Sequence, residues 1–241
     1  VALGNHDIEN CDILNKQLNY KGWENVGAYY SVNYKRKNRG VTVVVIDTNM
    51  FDEEQKNCNG EPYTYLERTK QREFIKESCI KARMRGDWII IIGHIPAVAN
   101  GHKESKIIIK NEMVYEILNE NKPHLYICGD EHNQQFIYEK DLGVSLSIIG
   151  SGGTDLDNIF YKLVEDEKVE PVKGTCYVDK VFGFLTLKFI DETETKKESM
   201  LIGYKSVHNK DNKLDHPYFV RINYEGKIME TLPIDCSNLF S

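Results

Sequence analysis

The sequence predicts an α/β protein in which strands first alternate with helices and then follow one another. Three observations carry this. Val41 to Ile46, Trp88 to Ile92 and Leu125 to Cys128 are short, β-branched or apolar runs of strand length. Between the first two, Tyr65 to about Ala82 repeats apolar residues at helical spacing among charges. Beyond residue 134, short alternating segments succeed one another with turn residues between them. Helices between strands, then a run of strands, give an α/β sandwich.

In chain order, Val1 to Leu3 read as the end of a buried strand. Ile8, Ile13, Leu14 and Leu18 recur at helical spacing, so a helix follows, its positive N-terminal end turned toward whatever the preceding segment binds. Tyr29 to Tyr34 alternate as a strand, and Lys35 to Gly40 form a solvated basic turn into Val41 to Ile46. Asn49 to Pro62 and Ala97 to Lys106 read as polar loops. Ile107 to Leu118 includes a helix, and Pro123 stops what precedes the Leu125 strand. Phe136 to Tyr138 and Val144 to Ile149 are strands, and Thr154 to Gly174 is an acidic loop or lid. Tyr177 to Ile190, Met200 to Lys205, Tyr218 to Tyr224 and Ile228 to Leu232 complete the strands, with Asp191 to Glu198 as a hairpin tip. No repeat, linker or domain boundary shows, so residues 1–241 are read as one domain.

The chain has 241 residues, enough for one sizeable core, with an apolar share of 41% and a charged share of 28%, as in globular proteins. A net charge of −6 and a pI near 5.7 argue against nucleic acid as a partner. No apolar run approaches a membrane span in length. None of the six cysteines forms a C-x-x-C pair, so a zinc knuckle is not expected, and the even number permits disulfides without demanding them. Cys128 reads as a small buried hydrophobe.

Three stretches share one grammar: an apolar run, a glycine, then residues that bind metals or move protons. They are Val1-Ala2-Leu3-Gly4-Asn5-His6-Asp7, Trp88 to Gly93-His94-Ile95-Pro96, and Leu125 to Gly129-Asp130-Glu131-His132-Asn133. Each alone is ordinary, since Asn and Asp favour turns and a Gly-His often caps a strand. Together they describe a site at the carboxyl edge of a sheet. The chain resembles the calcineurin-like metallophosphoesterases, and within them the purple acid phosphatases of the tartrate-resistant type. Tyr29-Tyr30, Ile46-Asp47-Thr48, Gln71-x-x-Phe74-Ile75, Gln134-Gln135, Ser151-Gly152-Gly153 and Phe182-Gly183-Phe184-Leu185-Thr186-Leu187 add to the resemblance, which runs to about Pro233.

The resemblance implies a four-layer α/β/β/α metallophosphoesterase sandwich, two mixed sheets face to face with helices outside both. It implies a phosphoric monoester hydrolase of acid phosphatase type, with two metal ions: iron with zinc, manganese or a second iron. By the same resemblance Asn5, His94 and Asp130 would bind one metal and His132 the other. His6 would protonate the leaving oxygen or hold the transferring phosphoryl group, Asp7 would orient His6, and His102 would lie near the substrate phosphate. The substrate would be a small phosphomonoester or a phosphoprotein, and the location secreted or lysosomal, although no Asn lies in an N-x-Ser/Thr sequon.

Two departures stand out. The family reads Gly-His-x-His where this chain reads Gly129-Asp130-Glu131-His132, so a harder carboxylate replaces an imidazole. The family's two earlier motifs would lie upstream of Val1, so the domain is expected to be N-terminally truncated and the chain by itself inactive. Two other readings remain: a phosphodiesterase of the same superfamily, and a relative that kept the fold and lost catalysis.

Overall fold

The computed structural model describes residues 2–21, 27–103, 106–153, 155–157, 171–208 and 213–232, with side chains at all of these except 102–103, 106–108, 208 and 213–217. The chain divides into two compact units, Val1–Ala97 with Asn111–Cys128, and Val98–Lys110 with Gly129–Ser241.

In the first unit the strands are β1 (Tyr30–Tyr34), β2 (Val41–Val45), β3 (Trp88–Ile92) and β6 (Leu125–Cys128), side by side in that order. β1 pairs antiparallel to β2, closing the basic Lys35–Gly40 hairpin, while β2, β3 and β6 run parallel. The parallel strands are nearly continuous apolar runs because both their faces are covered; Trp88, Ile89, Ile91, Leu125 and Tyr126 are wholly buried.

Helix α2 (Tyr65–Arg85) packs on β2 and β3, and α3 (Glu112–Asn121) packs on α2. α2 begins where Thr64 and Glu67 cap each other's backbone, and it ends at Gly86, which takes the left-handed conformation (φ 70°). Its buried face is Gln71, Ile75, Ser78, Cys79 and Ala82, spaced as one helical stripe.

The expected helix after the first motif is present but divided. Asn5–Ile8 form a turn of 3₁₀ helix, and α1 (Cys11–Leu18) starts afresh at Asn10, whose side chain accepts from the Asp12 N–H. Leu14 and Leu18 pack against Leu3, Ile8 and Tyr63, while Ile13 is exposed. A Cys11–Cys58 disulfide ties α1 to the loop before α2. Cys79, Cys128 and Cys176 are buried thiols, and Cys236 lies outside the described residues.

In the second unit, β7 (Gln134–Glu139) lies between β8 (Val144–Ile149) and β9 (Thr175–Asp179). β10 (Gly183–Ile190), β11 (Ser199–His208), β12 (Lys213–Asn223) and β13 (Ile228–Leu232) form an antiparallel meander. Tyr177 of β9 stacks on Tyr218 of β12 at 4.8 Å, and Tyr204 of β11 donates from its hydroxyl to the Gln135 carbonyl of β7. These buried aromatics fill the space between two facing sheets.

Several expectations change. Ala97 to Lys106 is not a loop throughout; Val98–Lys103 form β4, paired with β5 (Lys106–Lys110), and the helix expected within Ile107 to Leu118 is α3, from Glu112. The Ile107–Ile109 run is as strand-like as it is helix-like, and Asn111 caps the helix that follows. Tyr177 to Ile190 is two strands, not one. Among the described residues every helix belongs to the first unit, and the mixed α/β class expected from the sequence holds. Most of the Thr154 to Gly174 lid lies outside the described residues, as does Val1.

Candidate active site

The first unit brings two predicted ligands together. Asn5 opens the 3₁₀ turn, and His94 follows the carboxyl end of β3. Their functional atoms, Asn5 Oδ1 and His94 Nε2, stand 3.1 Å apart. Gly4 allows this approach; a Cβ there would lie 3.2 Å from the His94 ring.

The His94 turn is held by Thr48 and Tyr126. The His94 and Ile95 N–H groups both donate to Thr48 Oγ1, at 3.0 and 2.9 Å. The Tyr126 hydroxyl donates to the Ile95 carbonyl at 2.6 Å. Gly93 has no room for a side chain, since a Cβ would meet Thr48 Cγ2 at 2.5 Å and the Tyr126 oxygen at 2.6 Å.

Asp7 does not hold His6 as expected. Its carboxylate accepts from the Gly4 N–H at 2.8 Å and from Gln17 Nε2 at 2.6 Å, tying the motif to α1. His6 Nδ1 instead pairs with Glu9 Oε1 at 2.6 Å, on a ring that is 84% exposed. A 3₁₀ turn eclipses residues three apart, which puts Glu9 beside His6 and Asp7 beside Gly4.

Asp47, just after β2, is a buried carboxylate near His94. Burial raises its carboxyl to about 6, against the lowering effect of Asn49 hydrogen bonds and the nearby His94. Asp47 was visible in the sequence only as part of a resembling tripeptide.

In the second unit, Asp130 and His132 follow β6 in the chain. Asp130 takes the left-handed conformation at φ 67°, unusual for a residue with a side chain. Gly150 makes this turn possible, since a Cβ there would sit 2.2 Å from the Glu131 carbonyl oxygen. Asp157 pairs with His132: its carboxylate accepts from the His132 N–H at 2.9 Å and lies 3.7 Å from ring Nδ1, and its own N–H donates to the His132 carbonyl. Nothing in the sequence pattern pointed to Asp157, which lies twenty-five residues on in an irregular stretch. Gln134 and Gln135 serve the fold: Gln135 bonds Asn100 on β4, and Gln134 bonds the Lys205 carbonyl. His102 falls within β4, and its side chain lies outside the described residues.

The sequence model of the calcineurin-like phosphoesterases matches residues 1–134, more than half of the chain. The chain belongs to the calcineurin-like phosphoesterase family. Tartrate-resistant acid phosphatase type 5 of Sus scrofa is 27% identical over 165 residues, covering 63% of this chain and 46% of that protein. The chain thus spans about half the length of the curated relative it matches.

Three solved structures share the fold. GAP50, the anchor in the inner membrane complex of Plasmodium, superposes with a TM-score of 0.52 and 16% identity, over 89% of this chain and 59% of that one. Purple acid phosphatase PPD1 from yellow lupin (Lupinus luteus) seeds gives 0.51 and 17%, over 78% and 31%. PhoD gives 0.53 and 9%, over 86% and 44%.

Phosphoesterases of this family generally use two metal ions. The first unit's pair fits one of them. Oxygen and nitrogen ligands lie about 2.1 Å from such ions, so two at right angles are roughly 3 Å apart. The 3.1 Å between Asn5 Oδ1 and His94 Nε2 matches that spacing, and the two atoms are an amide oxygen and an imidazole nitrogen, both ordinary ligands for these metals. Among the described residues, no three His, Cys, Asp or Glu side chains are grouped to hold an ion. No helix there is long and apolar enough to cross a membrane.

Proposed function

We propose that this chain carries part of the active site of a metal-dependent phosphatase that cleaves phosphate monoesters, of the acid phosphatase type. The single observation behind this reading is the Asn5–His94 pair, set at the spacing of neighbouring ligands within a phosphoesterase fold. Asn5, His94 and Asp130 would hold one metal ion and His132 the other. Such ions acidify a bound water and offset charge on the phosphoryl oxygens.

The remaining roles belong to the protein. Asp157, against His132 Nδ1, would leave Nε2 as that ring's ligand atom. His6, with Nδ1 held by Glu9, would present Nε2 to the leaving oxygen and give it a proton. Asp7 would keep the motif's backbone in place through Gly4 and Gln17. The substrate would be a small phosphomonoester or a phosphoprotein. A secreted or lysosomal location accords with the Cys11–Cys58 disulfide, since such bonds persist in oxidising compartments.

The test is metal-dependent turnover of a chromogenic phosphate ester by the natural protein, with manganese, zinc and iron(II). Asn5→Ala and His94→Ala should each lower metal content and reduce kcat at least a hundredfold. Unchanged metal content in both variants rejects the reading.

A non-catalytic relative is the second reading. It is favoured by Asp130 standing where the family has a histidine and by His6 lying exposed against Glu9. A scaffolding role would then be closer to that of the Plasmodium anchor protein. A parent protein that binds no metal and cleaves no ester supports it.

A further inference from the structure

We propose that the Asp47-Thr48-Asn49 turn is a positioning device that sets Asn5 and His94 against each other. The inference rests on the reading of those two residues as metal ligands, and it assigns a task to three buried residues beside them.

The turn lies at the carboxyl end of β2 and is buried throughout. It reaches in two directions. Toward β3, the Thr48 hydroxyl oxygen accepts from two successive N–H groups, those of His94 and Ile95. Toward the first motif, Asn49 Nδ2 donates to the carbonyls of Leu3 and Gly4, at 3.3 and 3.4 Å, just before Asn5. One three-residue turn thereby grips the backbone at both ligand-bearing segments.

The turn is itself held. The Asp47 carboxylate accepts from Asn49 Nδ2 at 2.8 Å and from the Asn49 N–H at 3.1 Å, which fixes the amide's orientation. Gln71 on α2 closes a reciprocal pair with the Asp47 backbone, accepting from its N–H at 2.7 Å and donating to its carbonyl at 3.0 Å. A buried core position serving packing alone is better filled by an apolar side chain, because a buried polar atom without a partner costs free energy. Asn49 Oδ1 is such an atom, buried and without a hydrogen-bond partner among the described residues. The molecule keeps Asn49 although one end of its amide is unsatisfied, which is expected where the other end has a placement task.

The experiment compares Thr48→Val, which keeps the shape and removes the acceptor, with Thr48→Ser, which restores it. Asn49→Ser loosens the other side, and Asn5→Ala reports on the ligand itself. Manganese affinity is titrated for each, and metal-free crystal structures give the Asn5 Oδ1 to His94 Nε2 distance. Thr48→Val and Asn49→Ser should each weaken manganese binding about ten- to a hundredfold, as loss of an outer-shell partner does. Each should also open the pair beyond about 4 Å, past hydrogen-bonding distance. Thr48→Ser should stay within about twofold of the parent. Parental affinity and an unmoved pair in both Thr48→Val and Asn49→Ser overturn the proposal. Equal binding by the parent and Asn5→Ala rejects the ligand reading instead. The crystallographic distance then still decides whether the turn places the pair. If Thr48→Val does not fold, Asn49→Ser decides by the same two readouts.

Discussion

The Tyr126 hydroxyl reaches from β6 across the end of β3 to the Ile95 carbonyl, 2.6 Å away, on a ring with no exposed surface. The bond holds the turn after His94 together with Thr48. Its oxygen fills the space that any side chain at position 93 would need.

Tyr126→Phe therefore removes a buried donor and strands a carbonyl. The expected cost is about 1–3 kcal/mol of unfolding free energy. Urea denaturation of parent and variant measures it. Gly93→Ala should cost more, because a Cβ at 2.5 Å from Thr48 has to displace the residue that His94 leans on. A Tyr126→Phe variant of parental stability would show that Ile95 finds another donor.

Much of the first unit was legible because its strands are buried on both faces and its helix has strong end signals. Val41 to Ile46 and Trp88 to Ile92 could hardly be anything else, and α2 is bounded by a Thr-x-x-Glu cap and a glycine. The Asn5–His94 pair was legible through the glycine that precedes each residue. Asp157 was not, because a partner chosen by a tertiary contact leaves no local pattern. Glu9 rather than Asp7 pairs with His6, because adjacency in sequence suggested a contact that 3₁₀ geometry gives to residues three apart. β4 was missed because Asn100, Gly101 and His102 are poor strand formers; Gln135 supplies the hydrogen bonds that hold Asn100 there.

The Cys11–Cys58 bond closes a loop of 47 residues that begins with α1. By chain entropy alone, such a loop stabilises the fold by about 4 kcal/mol. Cys11→Ser with Cys58→Ser should lower the urea midpoint accordingly, and reductant should do the same to the parent. In the parent under native conditions, buried Cys79 should resist alkylation at pH 8, since burial pushes its thiol up to about 11.

Asp47 gives a pH dependence of definite sign. Its carboxyl rises from 3.8 to about 6 in the fold, chiefly through burial. The folded state therefore binds the proton more tightly than the unfolded state. The stabilising contribution is complete below about pH 4 and is lost as pH rises through 6. At roughly 1.36 kcal/mol per pH unit, the loss is about 3 kcal/mol. In the metal-free protein, the stability of Asp47→Asn relative to the parent should improve by about that amount between pH 4 and pH 7. A difference that does not change with pH would show that Asp47 ionises normally.

Asp157 touches His132 through backbone and ring together, so two substitutions separate the effects. Asp157→Asn keeps an acceptor for the His132 N–H but removes the carboxylate near Nδ1. Asp157→Ala removes both. If His132 is a ligand, Asp157→Asn should weaken metal binding about tenfold with little loss of stability, and Asp157→Ala should lose both. Equal metal affinity in all three proteins would make Asp157 a loop anchor alone.

Asp130 separates the two functional readings most sharply, because its backbone and its side chain pull in opposite directions. A left-handed conformation costs a residue with a Cβ about 1 kcal/mol, and glycine avoids that cost. Asp130→Gly should thus stabilise the fold by about 0.5–1 kcal/mol if the side chain has no other task. If the carboxylate is a ligand, Asp130→Gly and Asp130→Ala should both lose metal and most of the rate. Asp130→His should then keep activity and move preference toward zinc, because imidazole suits zinc and carboxylate suits manganese, iron(II) or magnesium. If the site has decayed, neither small residue changes metal content, and Asp130→His is the substitution that gains it. A stabilised Asp130→Gly with parental metal content would therefore reject Asp130 as a ligand. A stabilised Asp130→Gly that has lost its metal would show a strained residue kept for its carboxylate, which is the outcome expected of a working phosphatase.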